Sequence, residues 1–382
     1  MDSLQALMFI RNLKRVFNLP QLVVNDIYSN PSLISLARVL QHSLKQEEDV
    51  SPPLIAEETR VKNIEHLLTE YCGLIDRIPP LEYTPVSLPE IKSGSILLTG
   101  STGGLDRVTF LSADLSKSKL GLGDEVYNDL LQNVTQIIHN AWPVNFHINL
   151  SSYHTNLLGV VNLAKFASEA SRSPPFLYIS SVSAVSSFTS VDDSVSRIPK
   201  AIIHDASASE SMGSGESKYL SERILDYASK KIQLQVNIAR VGQISGPIQG
   251  PSVWSRDEWF PSLTISSSFV ALPSSSSAKT EIKRISFESW IQKVEETADQ
   301  QSSHSTEDAN TKETHFDRLV ELNPAIKLTH FYRTEERRKE GKEWETGRAQ
   351  MQSENLRNLG KVENIWLEKW IKAWMNNNSN KA

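Results

Sequence analysis

From Ser95 onward, short apolar runs typical of strands alternate with helical patterns, and this alternation constrains the fold more than any other feature. The strand-like runs are SILLT, VTFLSADL, TQIIHNA, FLYISS and LQVNIARV, and helical patterns lie over 152–170 and 216–231. Alternation of this kind predicts a parallel sheet covered by helices on both faces. The sequence therefore predicts an α/β chain.

The regions before and after this alternation have different hydrophobic patterns and compositions. Apolar residues near a 3.6-residue period predict helices over 3–18 and 32–45, and the charged, proline-containing stretch QEEDVSPPLIAEE follows them. We predict a helical region over 1–45, a linker over 46–93 and a main domain over 94–382.

The C-terminal part is predicted to be mostly helical. Trp366, Trp370 and Trp374 recur at spacings of four residues, which places them on one helix face. Segment 293–315 is polar and nearly free of large apolar side chains, so we expect a disordered or loosely held loop there.

Composition excludes several classes of function. The net charge of −5 and the scattered basic residues do not suggest nucleic-acid binding. The single cysteine, Cys72, favours a reducing, cytoplasmic compartment, and no apolar run has the ~20 residues needed to cross a membrane. Histidines are isolated and no HExxH pattern occurs, so we expect no metal site.

A glycine-rich turn follows the first strand. SILLT runs into Gly100-Ser101-Thr102-Gly103-Gly104, and glycines at such a turn let the backbone approach a pyrophosphate at a helix N-terminus. The signal is weak alone, because an ordinary tight turn has the same composition. Asp106 stands where a third glycine is expected, and VTFLSADL follows at once as a strand, without the usual helix and second strand.

Eight motifs in order make the pattern specific: LLTGSTG, FLSADL, IIHNAWPVNF, NLLGVVNL, FLYISSVSAV, GESKYLSERIL, ARVGQISGP and WSRDEWFPSL. Over roughly 95–375 they resemble the thioester reductase domain of fungal NRPS-like enzymes and adenylate-forming reductases. That domain belongs to the extended short-chain dehydrogenase/reductases, with an NAD-binding domain of the male sterility type. The resemblance implies a Rossmann-like sheet, incomplete in this chain, with a smaller, mostly helical C-terminal substrate domain.

The implied reaction is the NADPH-dependent release of a carrier-bound acyl thioester as aldehyde or alcohol in secondary metabolism. Ser181 matches the hydroxyl that orients the carbonyl, and Lys218 matches the catalytic lysine. The resemblance places cofactor contacts at Thr99, Gly100, Thr102, Gly103, Gly104, Asp114, Asn140, Asn156, Lys218 and Gly242. Asp114 matches an acid at the adenine and Asn156 the asparagine of a water relay, although each also fits an ordinary strand or helix end.

Ser214 occupies the place of the family's catalytic tyrosine, four residues before Lys218. A phenol near pKa 10 donates a proton when a cation lowers its pKa, whereas an aliphatic hydroxyl is a far weaker acid and serine is too short. Tyr219 points about 100° away on the same helix. We expect little proton-transfer catalysis.

The N-terminus resembles the attachment site of a carrier protein. Asp2-Ser3-Leu4 opens an amphipathic helix, and the resemblance implies phosphopantetheine on Ser3. Ser3 also fits a plain helix N-cap. The helix that normally precedes this serine is not in the sequence, so the carrier is expected to be partial.

A third departure follows Leu272-Pro273, where serines replace a family segment. Losses at three motif junctions suggest skipped exons or a decaying gene copy. Two readings stay open: a thioester reductase acting on a carrier-bound substrate, or an inactive remnant or binding module with a partial Rossmann core. Trp254, Trp259 and Phe260 fall in the substrate region under the first, and equally fit a plain core.

Overall fold

The computed structural model describes residues 53–81, 94–100, 109–143, 148–188, 197–248, 250, 254–271, 285–303, 318–336 and 343–376, with scattered positions between 9 and 41. The chain divides into two compact units. One comprises Asn25–Gly242 with Gly341–Glu345, and the other comprises Met1–Val24, Gln243–Glu340 and Thr346–Ala382. Described positions within the predicted helices over 3–18 and 32–45 are helical.

The first unit is built on a parallel sheet. Its strands, in spatial order, are β1 (Ser95–Thr99), β2 (Val134–His139), β3 (Phe176–Ser181) and β5 (Val236–Val241). A two-stranded sheet pairs β4 (Arg197–Ile198) with β6 (Glu343–Trp344). The predicted α/β class and Rossmann-like sheet are confirmed. In the described part of the chain, β1 pairs on one side only, so the sheet is smaller than the six strands usual for this fold.

Among the continuously described stretches of this unit, four are α-helices: α1 (Pro53–Ile75), α2 (Asp124–Asn133), α3 (His154–Glu169) and α4 (Gly213–Lys231). Short 3-10 turns span Ser118–Gly121, Leu150–Tyr153, Val182–Ala184 and Ala206–Ala208. Helices α3 and α4 agree with the predicted ranges. Helix α1 lies in the stretch predicted as a linker.

Helix α1 is held by burial. Ile64, Tyr71 and Ile75, spaced to share one helix face, are at most 1% exposed and join the core that Leu157, Phe166 and Leu220 form. Each fully buried side chain of this size contributes roughly 1.5–3 kcal/mol. This packing explains why a segment with linker-like flanks folds as a helix.

One face of the parallel sheet is open. Register places Ile96 beside Gln136 and Leu98 beside Ile138, and the same face continues through Leu177 and Ile179 of β3. Every one of these residues is exposed or half-buried, with Ile96 58% exposed, whereas Phe176 and Tyr178 on the other face are fully buried. Among the described residues, the sheet is therefore well covered on one face. Cover on both faces is not seen among these residues, and the sequence likewise contains no helical pattern between Leu105 and VTFLSADL.

The predicted strand VTFLSADL is also wrong where it is described. Residues 109–114 are irregular, and Phe110 is 69% exposed. A parallel neighbour of β1 needs a crossover of a dozen or more residues, and only nine lie between Thr99 and Thr109. The segment instead folds back locally, with the Asp114 amide donating to the carbonyl of Leu120.

The second unit is helical in its described parts. It contains α5 (Trp259–Ala271), α6 (Phe287–Ser303), α7 (Thr329–Glu336), α8 (Gly347–Gln352), α9 (Glu354–Asn358) and α10 (Asn364–Asn376). Residues 318–322 and Pro324–Leu328 add two short turns of helix. Trp370 and Trp374 of α10 are buried with Trp254 and Ile265, which agrees with the predicted tryptophan face.

The predicted loop over 293–315 is wrong in its first part. Residues 293–303 continue α6, because Trp290, Ile291, Val294 and Ala298 recur at helical spacing and are buried. Residues 304–315 lie outside the described residues.

Candidate functional site

Predicted site residues meet at the carboxyl ends of the four parallel strands. Thr99 ends β1 and Gly100 follows it, Asn140 follows β2, Ser181 ends β3, and Gly242 follows β5. The register pairs Thr99 with His139 and Ser181 with Val241, so these ends lie along one edge of the sheet. In parallel α/β folds this edge is where ligands bind.

The turn after β1 is closely packed. Gly100 has a φ of +78°, and a Cβ there would lie 2.6 Å from the backbone nitrogen and Cα of Ala141. Thr99 Oγ1 accepts hydrogen bonds of 3.3 Å from the amides of Asn140 and Ala141. A glycine is therefore required at 100 for both conformation and space. Thr102, Gly103, Gly104 and Asp106 lie outside the described residues, as does Ser3.

Lys218 reaches the sheet from the second turn of α4. Its Nζ donates a 2.6 Å hydrogen bond to the carbonyl oxygen of Ile179, and lies 4.4 Å from the ring centroid of Trp142 and 4.7 Å from that of Tyr178. Burial lowers the pKa of Lys218 to about 7, and Glu222 opposes the shift. The amine is thus held by one carbonyl and two aromatic faces beside the end of β3.

Ser181 is tied to the chain that follows it. Its Oγ accepts from the amide of Ser183 at 3.2 Å and from the Ser183 hydroxyl at 2.9 Å, which caps the short 3-10 turn. The carbonyl of Ser183 accepts from the Glu210 amide and lies 3.0 Å from where a Cβ on Gly215 would be. Helix α4 can approach β3 this closely because residue 215 is glycine.

Ser214 lies in the first turn of α4, one helical turn before Lys218, and is half-buried. Residues four apart share a helix face, so the two side chains occupy the relative positions expected of the family's tyrosine and lysine. The Ser214 carbonyl accepts a 2.8 Å hydrogen bond from Ser217 Oγ, and Trp142 Nε1 donates to that same hydroxyl at 3.3 Å.

Two tyrosines near Lys218 are poorly suited to donate a proton there. Tyr219 donates to the carbonyl of His204 at 2.8 Å and accepts from Arg223, so its phenol is engaged away from Lys218. Tyr178 contacts Lys218 with its ring, but complete burial raises its pKa well above the usual value. A phenol that donates a proton near neutral pH needs the opposite shift.

His139 is buried next to this lysine. Its Nδ1 lies 2.7 Å from Thr99 Oγ1, and its ring packs against Trp142, Phe176 and Tyr178. Burial, with a smaller contribution from Lys218, lowers the pKa of His139 to about 3. The imidazole is therefore neutral across the physiological range.

A buried ion pair joins α4 to strand β5. Glu222, 1% exposed, accepts from Arg240 of β5 through Nε at 3.0 Å and Nη2 at 2.6 Å, and from the Ser180 hydroxyl at 2.5 Å. The sequence analysis missed this cluster. Its signals were an acid four residues after Lys218 on the apolar helix face and an arginine inside the strand VNIARV.

Three further predicted site residues are exposed or only half-buried. Asp114 is exposed and pairs with Lys117 at 3.2 Å, and Ser116 and Lys117 lower its pKa. Asn156 is half-buried in the first turn of α3. Gly242 is exposed, and a Cβ there would meet Val182 Cγ1 at an ordinary 3.8 Å, so space does not require glycine at 242.

In the second unit, Gln243 is bound to neighbours on α5. Its Nε2 donates to Glu258 at 2.7 Å, and its Oε1 accepts from Trp259 Nε1 at 2.5 Å. Trp254 and Phe260 stack with centroids 5.5 Å apart within the cluster that holds Trp374. Trp254 is buried, as its plain-core alternative predicts.

Among the residues that the structure describes, His, Cys, Asp and Glu side chains form no group of three able to hold a metal ion. None of the described helices combines the length and the hydrophobicity that crossing a membrane requires.

Known proteins with similar sequences include several that are named as reductases. A family model described as "Male sterility protein", an NAD-binding family, matches residues 90–287. A carboxylic acid reductase of Neurospora crassa is 33% identical over 222 residues, 56% of this chain and 20% of that protein. Adenylate-forming reductase Nps11 of Serpula lacrymans is 39% identical over 164 residues, 42% of this chain and 14% of that protein. The chain thus spans a fifth or less of the length of these two relatives.

Two solved structures that resemble part of this chain come from non-ribosomal peptide synthetase systems. The terminal R domain of the myxalamid PKS-NRPS pathway is 25% identical, with a TM-score of 0.35, over 41% of this chain and 38% of that one. A thiolation-reductase di-domain from an archaeal non-ribosomal peptide synthetase is 18% identical, with a TM-score of 0.36, over 78% of this chain and 69% of that one.

Proposed function

The chain belongs to the male sterility NAD-binding family, and we propose that it is a reductase unit for carrier-bound acyl thioesters whose proton donor is lost at Ser214. The thioester substrate follows from the family resemblance and from relatives named as carboxylic acid and adenylate-forming reductases. The observation that carries the proposal is the position of Lys218, held at the carboxyl end of β3 beside Ser181.

The residues present fit a nicotinamide dinucleotide in part. Gly100 forms the close backbone turn that a pyrophosphate loop needs, and Thr99, Asn140 and Ser181 lie along the same sheet edge. The adenosine side fits less well, because in the described part of the chain β1 is an edge strand, and Asp114 is exposed and paired with Lys117. When bound, NADPH would supply the hydride for the acyl carbon.

Two side chains of this chain would act on the carbonyl group. The Ser181 hydroxyl would donate a hydrogen bond to the carbonyl oxygen, which favours negative charge developing there. Lys218, with a pKa of about 7, would carry a proton on half of the molecules near neutral pH. Without a tyrosine at 214, no described phenol relays a proton from this region to that oxygen, so turnover should be slow.

The direct test uses the full chain with NADPH and an acyl-coenzyme A or acyl-pantetheine thioester. We expect NADPH binding by fluorescence titration, weak because the adenosine side is reduced, and slow thioester-dependent oxidation of NADPH. The variant Lys218→Ala should abolish that oxidation, while Lys165→Ala, on an exposed part of α3, should not change it. If wild type and Lys218→Ala oxidise NADPH equally slowly, catalysis by this site is ruled out.

A binding module is the second candidate, favoured by Ser214 and by the open sheet face around Ile96. Under that proposal the chain docks a carrier protein and performs no reduction. Binding of a phosphopantetheine-loaded carrier without any thioester-dependent loss of NADPH would support it over the reductase.

Carrier attachment at Ser3 is proposed from the resemblance alone. Residues 1–45 would be the partial carrier, 46–93 the linker and 94–382 the reductase, working in the cytoplasm. Incubation with coenzyme A and a phosphopantetheinyl transferase should add the arm to the wild-type chain and not to Ser3→Ala, as measured by mass spectrometry. An unmodified wild-type chain would remove Ser3 from the proposal.

A further inference from the structure

We infer that Arg60 of α1 is a positioning residue for the segment that carries Ser214 and Lys218. The inference rests on the proposed site at α4, but it is tested without NADPH or a thioester. Arg60 lies outside the family match over 90–287, so the functional unit would extend toward the N-terminus beyond that match.

Arg60 forms hydrogen bonds within α1 and to two other segments of the chain. Its Nη1 donates to Ser209 Oγ at 2.9 Å and to Glu216 Oε1 at 3.2 Å, while Nε and Nη2 donate to the two carboxylate oxygens of Glu57. Glu57 and Arg60 lie on α1, Ser209 precedes α4, and Glu216 lies in the first turn of α4. One guanidinium therefore links α1 to both sides of the α4 N-terminus.

The pair is largely removed from water. The Arg60 and Glu216 side chains are 13% and 10% exposed, and Ser209 is fully buried. Burial raises the pKa of Glu216, and Arg60 opposes that shift. Removing one member of such a pair leaves a buried charge without its partner, which the fold relieves by letting water in or by moving the segment.

Glu216 lies midway between the two functional positions, two residues after Ser214 and two before Lys218. On the opposite side, the Glu210 amide donates to the Ser183 carbonyl, and Ser183 binds Ser181 Oγ. The segment 209–216 is thus held by Arg60 on one side and by the end of β3 on the other. Movement of this segment would change how deeply Lys218 is buried.

Helix α1 is rigid enough to serve as the anchor. Ile64, Tyr71 and Ile75 are buried in the same core as α4, and Tyr71 forms a 2.7 Å hydrogen bond with Nδ1 of His154 at the start of α3. A plain structural role would give Arg60 an effect on stability alone. A positioning role also changes the environment of Lys218, and that difference decides the test.

The experiment measures the rate at which an amine-acetylating ester modifies Lys218 as pH is varied, followed by peptide mass mapping. The charged and titratable groups near the amine are Glu222 on α4, which is paired with Arg240 of β5, His139 on β2, and Tyr178 on β3, whose ring faces the amine. The variants are Arg60→Met, Arg60→Lys and, as a control on the exposed face of α1, Lys62→Ala.

In the wild type and Lys62→Ala we expect a midpoint near 7. In Arg60→Met it should rise by at least about one pH unit, because water reaches the amine. Arg60→Lys keeps the charge but loses the planar fork that spans Glu57 and Glu216, so its midpoint should rise as well. The Lys variant also decides the outcome if Arg60→Met fails to fold.

Two results would overturn the inference. An unchanged midpoint in a folded Arg60 variant with a lower melting temperature would show a structural role alone. A shift in Arg60→Met with none in Arg60→Lys would show that the charge acts at a distance and that position is unaffected. Failure of the wild type to reduce thioesters would refute the proposed function and leave this test unaffected.

Discussion

The amine of Lys218 lies 4.4 Å from the ring centroid of Trp142. That aromatic face, with the ring of Tyr178 and the carbonyl of Ile179, replaces much of the water that would surround a free ammonium group. Trp142 lies just after β2 and Lys218 on α4, so the contact joins the loop after β2 to helix α4.

The first prediction concerns the stability cost of burying Lys218. Its pKa is about 7 in the fold and 10.5 in the reference state, so between these values the unfolded chain binds more protons and stability rises with pH. Below the folded pKa both states are protonated and the dependence vanishes. Relative to Lys218→Met, the wild type should gain up to about 1.4 kcal/mol per pH unit from pH 7 to 9 in denaturant unfolding.

Lys165→Met is the matched control, since that side chain is exposed on α3. Its unfolding free energy should follow the wild type at each pH. Parallel pH profiles for the wild type and Lys218→Met would show that Lys218 is not desolvated in the folded protein.

The second prediction concerns His139, whose burial also makes the stability of the fold rise with pH, but over a lower pH range. Burial lowers the pKa of His139 from 6.5 to about 3, so stability that is present above the unfolded value is lost as pH falls through this range. From pH 6.5 to 4 the wild type should lose up to about 1.4 kcal/mol per unit more than His139→Gln. The variant His66→Gln, on the exposed side of α1, should show the wild-type slope in the same urea titrations.

Strand and helix types were largely predictable because they depend on local pattern. FLYISS became β3 and LQVNIARV became β5, and the helical period over 152–170 became α3. VTFLSADL has an equally good strand pattern and is not a strand where described, since pairing depends on a crossover that this chain lacks. Helix α1 was not predicted, and its segment was assigned to a linker. The residues that it buries can be recognised only once the core that covers them is known.

Some residues of the candidate site could likewise be predicted from the sequence, and others could not. Ser181, Ser214 and Lys218 were predicted from the family resemblance, because its motifs occur in this chain in a fixed order along β3 and α4. Glu222 and Arg240 could not be predicted, because a charged residue in a buried helix or strand has no partner visible in sequence. Contacts such as that of Arg60 with Glu216, separated by 156 residues, depend entirely on tertiary packing.

The third prediction concerns the pair of Glu222 and Arg240. Their side chains are 2% and 12% exposed, and the carboxylate also accepts from Ser180. In Glu222→Gln the buried guanidinium would lose its counter-charge, and breaking a pair of this kind costs about 3–5 kcal/mol. Urea unfolding should show that loss, whereas Lys165→Ala, which breaks an exposed 3.7 Å pair with Glu169, should stay within about 0.5 kcal/mol. A loss below about 1 kcal/mol in Glu222→Gln would mean that water already reaches the pair.

The fourth prediction concerns the edge strand β1. Ile96 and Leu98 are 58% and 38% exposed, and among the described residues β1 pairs on one side only; an exposed apolar edge strand favours association between chains. Ile96→Lys should reduce concentration-dependent light scattering while leaving the melting temperature nearly unchanged. Ile365→Lys, which replaces a 68% exposed isoleucine on α10, is the control for added charge. Equal improvement in both variants would show that net charge, and not the β1 edge, governs association.

The final prediction restores the missing phenol. Ser214→Tyr places a tyrosine one helical turn before Lys218, and the lysine, protonated on half of the molecules near pH 7, would favour ionisation of that phenol. A positioned general acid contributes about 10²–10⁴-fold, so thioester-dependent NADPH oxidation should rise by a factor in that range. Ser214→Phe adds the same ring without the hydroxyl, and it should stay at the wild-type rate. If Ser214→Tyr binds NADPH as the wild type does but shows no faster oxidation, the loss of function lies elsewhere, and the reduced adenosine side of the sheet becomes the limiting defect.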